Sequence, residues 1–432
     1  MLESNALNYL NSLDKFGTVF GLERIQRLTE LLNFPQNSFS SVHVAGTNGK
    51  GSTCSFIASI LREAGFNAGL YTSPHLVSFT ERIQVNGKKI NEKELKTGIN
   101  KIRKLIAEEQ EKNKKFQPTQ FEVLTALAFN YFAEKKIDFA VIETGLGGRL
   151  DATNVLKPEV AVITNISLEH TKELGNTIKK IVHEKAGIIK QNYVVVTAET
   201  KKDALKEIRE KCVQEKAKLF ELRKHCTWKR KSFSLKGQKF QAKILGKKYN
   251  LFIPFLGEHQ LQNACTAVLA VKLLKQKIPY KAITEGLQKT RWPARFEVKR
   301  KNPLLVLDAA HNPACFKALA RTVKEVKKKI KAQKLILVLG VAGDKDIKGI
   351  CRRIIPPADK IIVTQAKYRG MKAERIAAEV KKYKKNFVVI RSVPKAVKKA
   401  INSASEKDFV LVAGSHYVLG EACGHHYTNS FK

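Results

Sequence analysis

The sequence predicts an α/β protein built in two parts. The first part carries a mostly parallel sheet with a small antiparallel sheet beside it; the second is a doubly wound parallel sheet. Three observations predict this. Short apolar runs of strand length alternate with segments of helical period along most of the chain. A glycine-rich turn joins a strand to a helix near residue 46. At 432 residues, 43% of them hydrophobic, the chain suits two domains, each with its own core.

Each element follows in order. Residues 5–13 and 22–32 read as two helices, with residues 15–21 between them as a connector or a substrate-side loop. Residues 41–45 are a short strand and residues 46–52 (GTNGKGS) the glycine turn. Residues 54–64 are a helix with Phe56, Ile57, Ile60, Leu61 and Ala64 on one face. The strand at 68–72 runs into Ser73-Pro74-His75, at the carboxyl edge where ligands of open α/β sheets gather. Residues 91–112 read as a long, charged, exposed helix. Residues 119–134 read as a more apolar helix that buries Phe121, Leu124, Leu127, Ala128 and Tyr131 and leaves Glu122 off the stripe. The strand at 138–142 delivers Glu143 to a glycine loop, and the strand at 160–166 leads to Glu169 and His170. A helix over 177–189 turns Ile178, Ile181, Val182 and Ile188 inward and carries Lys185. Residues 193–198 close another strand–helix unit. Residues 223–252 alternate like short antiparallel strands, and residues 258–274 form a helix with Asn263 near its start. TRWPARFE (residues 290–297) marks the boundary, since Pro293 stops what precedes it and alternation then restarts. Strands follow at 304–307, 335–341, 360–364, 387–390 and 409–413, with helices near 314–331, 373–385 and 395–404. This part lacks G-x-G-x-x-G and is not read as dinucleotide-binding. Residues 424–432 read as a frayed tail, although Cys423, His425 and His426 could take up metal adventitiously.

The glycine turn is the first chemical signal. Backbone N–H groups and the positive end of a helix suit a phosphate, and glycines let the main chain approach it. Lys50 would reach the outer phosphates and Ser52 would offer a hydroxyl to magnesium. The common phosphate loop has glycine where Val44 stands and Ser or Thr where Gly51 stands, so an ordinary glycine turn is the alternative. Glu143, a carboxylate at a strand tip before a glycine loop, stands where nucleotide enzymes hold magnesium; a surface glutamate is the alternative. His170 reads as a metal ligand or as a core histidine.

Composition excludes other classes. No apolar run approaches membrane-spanning length, and the first ten residues lack the pattern of a secretory signal. The seven cysteines are scattered and never spaced C-x-x-C, which predicts reduced thiols in a cytoplasm and no zinc site. The net charge of +40 raises the question of a nucleic-acid or membrane-surface partner. VKEVKKKIKAQK (residues 323–334) answers it with lysines on a solvated helix face, and aromatics do not interleave with the basic runs. No nucleic acid and no membrane partner is expected.

Taken together, these pieces resemble the Mur ligase superfamily, and within it the folylpolyglutamate synthase/dihydrofolate synthase family. The ordered segments are YLNSL, FGLERI, VAGTNGKGST, YTSPHL, FEVLTALAF, ETGLGGRLDATN, ITNISLEHT, HEKAGIIK, GEHQLQNACTAV, RWPARFE, LDAAHNP and GSHYVLGE, which span nearly the whole chain. The resemblance implies an N-terminal P-loop ATPase domain (1–290), a linker (291–298) and a C-terminal Rossmann-like glutamate ligase domain (299–432). It implies that Gly49, Lys50, Gly51 and Ser52 bind ATP phosphates, and that Asn263, Arg295 and Asp308 contact the nucleotide. Ser73, Glu143 and His170 would hold two Mg2+ ions, and a monovalent cation such as K+ is admitted beside them. Thr119, Gln120, Phe121 and Glu122, with Leu150, Asp151 and Ala152, would line the pterin-bearing substrate. Lys185 would be carbamylated, and His311 would sit where the amino acid enters. Two places depart from the pattern: Ala294 stands where glycine is common, and His416 where an aromatic is more usual.

The implied reaction is ATP-dependent ligation of L-glutamate to dihydropteroate, to a reduced folate, or to both, through an acyl phosphate. A cytoplasmic monomer acting on small molecules is expected. One rival is a superfamily amide ligase acting on a cell-wall precursor; such enzymes carry an extra domain for which about forty residues before Gly46 leave no room. A second is a basic ATPase stimulated by nucleic acid.

Overall fold

The structure is a computed structural model that describes residues 2–17, 19–384 and 386–424. His425 and His426 lie outside the described residues.

Alternating apolar runs become two parallel-dominated sheets. The first sheet has eight strands. Strand Ser40–Ala45 lies in its middle, flanked by Phe139–Glu143 and Val160–Ile163. The registers Val44↔Glu143 and Ala45↔Ile163 align their carboxyl ends. Ala68–Tyr71 pairs with Phe139–Glu143 on the far side, with Tyr71 opposite Ile142. The glycine turn, Glu143, Ser73 and the segment leading to His170 therefore leave the sheet along one edge. Val194–Thr197 and Lys218–Glu221 continue the parallel order. At the opposite edge Ile83–Val85 and Lys88–Lys89 add an antiparallel hairpin, absent from the sequence reading, whose Asn86 and Gly87 both adopt positive φ.

Strands Cys226–Ser234, Gly237–Ile244 and Lys247–Ile253 form the small antiparallel sheet. Residues 240–244 alternate buried and exposed side chains, as a sheet with one solvated face requires.

The second large sheet is parallel over Leu304–Asp308, Phe409–Ala413, Leu335–Leu339, Lys360–Val363 and Phe387–Val389. Glu297–Lys301 adds an antiparallel edge strand that the sequence did not signal. Its central strands read as continuous Val/Leu runs because helices cover both faces. Their carboxyl ends carry residues 308–311, 342–345 and 414–417 toward the carboxyl edge of the first sheet.

Two helix expectations need correction. Glu92–Lys112 is not an exposed helix: it buries Leu95, Ile99, Ile102, Ile106 and Glu109 against the helices around it. Glu122 is not off the buried surface of Gln120–Glu134. It is buried, closes a capping box with Thr119 and pairs with Arg24 at 3.0 Å. Among the described residues, no helix is long and apolar enough to cross a membrane.

Candidate active site

The two sheet edges face each other across a crevice of about 1170 Å³. One wall is the glycine turn. Helix Lys50–Glu63 begins four residues earlier than the sequence predicted, so Lys50 is its first residue and Gly49 its N-cap, at φ 86°. Gly46 has φ 146°, and a Cβ there would collide with Thr164 Oγ1. A Cβ on Gly49 would meet Asn263 Oδ1 at 2.5 Å, which sets Asn263 directly against the turn. Thr164 Oγ1 and Asn165 Nδ2 both donate to Asn48 O at 2.8 Å, holding the turn from beneath.

Glu143 is buried at the floor. Burial pushes its carboxyl up, while Lys50 and the Ser73 backbone pull it back. Both contacts are long: Lys50 Nζ lies 3.7 Å from one oxygen and Ser73 N 3.4 Å from the other. His170, at φ 52°, is held down to about 4 by burial and then by the Lys345 charge, so its ring is neutral and free to act as a ligand. Among the described residues no three His, Cys, Asp or Glu side chains converge as a complete metal cage. Glu143, His170 and Ser73 all line the crevice, and an ion held partly by substrate phosphates needs only one or two protein carboxylates.

Lys185 is 5% exposed, and its Nζ donates to Gly46 O at 2.9 Å. Burial, then the Lys50 charge, bring its amine down to about 7. The helix-surface alternative for this lysine is thereby excluded.

Asp151 caps the turn at residues 152–155, accepting from Leu146 N at 2.8 Å and Thr153 N at 3.0 Å. Thr119, Phe121, Glu122, Leu150, Asp151 and Ala152 all line the crevice. Gln120 does not: its side chain donates to Leu10 O at 3.1 Å on the far side of the helix. From the linker comes Arg295, and from the second sheet's strand Leu304–Asp308 and the turn after it come Asp308 and His311. Asp308 accepts from Phe296 N and Ala310 N, both at 2.9 Å, which ties the linker to the strand end. Ala294 sits at φ 58°, the conformation that makes glycine common there. His416 packs against His311 with ring centroids 5.3 Å apart.

Sequence reasoning missed the bridge between the halves. Glu169 accepts from His311 Nε2 at 3.2 Å, Lys345 Nζ at 3.3 Å and Asn312 Nδ2 at 2.9 Å. Burial alone would raise its carboxyl, but His311 and Lys345 overcome that and hold it far below the usual range. Asn312 Nδ2 also reaches Asn48 Oδ1 at 2.8 Å. Adjacency to His170 was the one available signal for Glu169; nothing in the sequence marked Lys345.

A nucleotide-type turn facing the carboxyl edge of a second α/β sheet is the architecture of a Mur-type ligase. The chain matches the Mur ligase middle domain over residues 44–271 and the Mur ligase glutamate ligase domain over residues 294–416. It is 38% identical to the dihydrofolate synthase/folylpolyglutamate synthase of Bacillus subtilis over 81% of this chain and 82% of that one. It is similar to the Mycobacterium tuberculosis folylpolyglutamate synthase complexed with ADP and AMPPCP, at 32% identity and TM-score 0.90, covering 98% of each chain. The Yersinia pestis bifunctional folylpolyglutamate synthase/dihydrofolate synthase complexed with AMPPNP and Mn ion aligns at 30% identity and TM-score 0.85, again over 98% of each. The chain belongs to the folylpolyglutamate synthase/dihydrofolate synthase family of ATP-dependent ligases.

Proposed function

We propose that this chain uses ATP to join L-glutamate to dihydropteroate, to a reduced folate, or to both, through an acyl phosphate. The observation that carries this is the shared crevice: the Lys50 turn, the Glu143 floor and the His311 wall open into one cavity beside Phe121 and Ala152. The pterin ring would lie against Phe121, Leu150 and Ala152, and its carboxylate would attack the γ-phosphate. ADP leaves; the glutamate amine then attacks the acyl carbon, loses a proton, and phosphate departs. Gly49, Lys50, Gly51 and Ser52 would cradle the phosphates, with Asn263, Arg295 and Asp308 on the rest of the nucleotide. His311 would meet the incoming amino acid. Closure of the halves would exclude water from the acyl phosphate.

Ser73, Glu143 and His170 would hold Mg2+, with Lys185 beside them as its carbamate. A bound divalent ion neutralises phosphate charge. The carbamate forms when neutral Lys185 Nζ attacks carbon dioxide and releases one proton. A monovalent cation such as K+ is proposed as a further small ligand. The proposed division is 1–290, 291–298 and 299–432, supported by the end of helix Tyr280–Lys289 and by the pairing of Glu297–Lys301 with the last sheet. A cytoplasmic monomer is proposed; the seven cysteines are all unpaired, which suits a reducing compartment.

The test is ADP release with glutamate plus dihydropteroate, then glutamate plus tetrahydrofolate, with product masses read directly. A product heavier by one glutamyl residue is expected; absence of that product with both acceptors refutes the reading. Lys50→Ala should abolish glutamate-dependent ADP release, and full activity would remove Lys50 from the mechanism.

A further inference from the structure

Seven lysines and arginines line the crevice. Five have an oxygen partner: Lys50 with Glu143, Lys185 with Gly46 O, Lys201 with Ile166 O, Lys345 with Glu169 and Arg369 with Asp14. Among the described residues, Arg82 and Arg295 have no carboxylate or carbonyl partner. Arg295 is the cation assigned to the nucleotide. Arg82 is left over.

Its setting is built rather than incidental. Arg82 ends the short turn Phe79–Arg82, and its own carbonyl accepts from Thr72 N at 3.0 Å, next to Ser73. Its Nε donates to His75 Nδ1 at 3.0 Å, and its guanidinium carbon lies 5.5 Å from the centre of the Phe79 ring. A neutral imidazole and an aromatic face fix the group without neutralising it. The adjacent carboxylate, Glu81, is consumed by three backbone N–H groups, Leu76, Val77 and Ser78, and by Lys89 at 3.7 Å. The two carboxylates whose charge Arg82 feels are Asp14 and Glu143. Asp14 is taken by Arg369 and Tyr368, and Glu143 by Lys50. Both terminal nitrogens are thus free for a ligand anion.

The location selects which anion. Arg82 also neighbours Tyr417, which follows His416, and His416 packs on His311. It therefore stands between the Tyr71 and Glu143 side of the crevice and the wall where the amino acid would enter. We propose that Arg82 is a carboxylate receptor for the incoming dicarboxylic amino acid, so that the ATP-binding half itself helps select glutamate. This rests on the ligase reading above. A planar guanidinium suits a carboxylate through two parallel N–H donors, a geometry an ammonium cannot copy.

The experiment separates the two half-reactions in Arg82→Gln and Arg82→Lys. With ATP and dihydropteroate, hydroxylamine traps an acyl phosphate as the hydroxamate without needing an amino acid. The expected result is wild-type hydroxamate formation in both variants. The KM for glutamate should rise about 10- to 100-fold in Arg82→Gln, the loss of a charge-assisted hydrogen bond, and less in Arg82→Lys. The KM for dihydropteroate should stay unchanged. An unchanged glutamate KM overturns the assignment, as does loss of hydroxamate formation in both variants, which would place Arg82 with the acceptor or the phosphate. Failure of the unaltered enzyme to form hydroxamate refutes the acyl-phosphate reading instead.

Discussion

Lys185 offers the most quantitative prediction. With its amine brought down to about 7, roughly three-quarters of the side chain is neutral at pH 7.5, against about one part in a thousand for a solvated lysine. Only the neutral amine attacks carbon dioxide, so burial raises the reactive fraction by roughly several hundred-fold. The same shift has a stability consequence. Because the folded pKa lies below the unfolded one, the unfolded chain binds more protons between about pH 7 and pH 10.5. Unmodified protein should therefore gain stability as pH rises through that window, by an amount on the order of 5 kcal/mol at most. Carbamylation removes the ammonium and with it the slope, and the Lys50 charge that disfavours a cation at residue 185 favours an anion. Enzyme prepared without carbon dioxide should show low activity, recover it on adding bicarbonate, and gain the mass of one carbon dioxide on the peptide containing Lys185. Lys185→Met should be inactive under both conditions and lose the pH slope in thermal unfolding. Full activity in carbon dioxide-free enzyme whose Lys185 is shown unmodified by mass would refute the argument.

Glu169→Gln should weaken the link between the halves, because the three donors on this carboxylate come from residues 311, 312 and 345. Losing charge-assisted bonds of about 1.5–3 kcal/mol each predicts a fall in kcat/KM for glutamate of about tenfold or more. It also predicts a larger radius of gyration by small-angle scattering; unchanged values for both would remove Glu169 from closure. Gly46→Ala should lower the melting temperature, since its Cβ collides with Thr164 Oγ1; a cost of about 1–3 kcal/mol is expected. Adding Thr164→Ala should recover part of the loss in calorimetry, and no recovery would place the strain elsewhere.

The parts of this molecule that were legible in its sequence are those set by neighbours along the chain. Strand, glycine turn and helix announce residues 40–63, and a carboxylate closing an apolar run announces Glu143. Parallel order follows from the alternation, and sheet register then brings Ser73, Glu143 and the turn together. What stayed hidden depends on partners far away in sequence. Glu122 is buried because Arg24, ninety-eight residues earlier, reaches it. Lys185 is perturbed because the fold buries it and brings the Lys50 charge near it, with its amine held at Gly46 O, one hundred and thirty-nine residues away. In Glu92–Lys112 the apolar period was present at Leu95, Ile99, Ile102 and Ile106, but the surrounding charge masked it. Gln120 was carried along by its motif, although its side chain points at Leu10 O.

The charge of +40 resolves by the same distinction. Helix Pro313–Lys329 buries Phe316, Leu319, Val323 and Val326 and leaves Lys324, Lys328 and Lys329 exposed, so much of the surplus sits on solvated faces, as expected. Inside the crevice most cations meet an oxygen, and the field there is set by which ones do not. A surface lysine screened by salt contributes little at distances beyond about 10 Å. A half-buried guanidinium without a counter-ion contributes a great deal. Glutamate affinity should therefore respond far more to Arg82 than to removal of several exposed lysines, and salt should slow substrate capture without erasing selectivity.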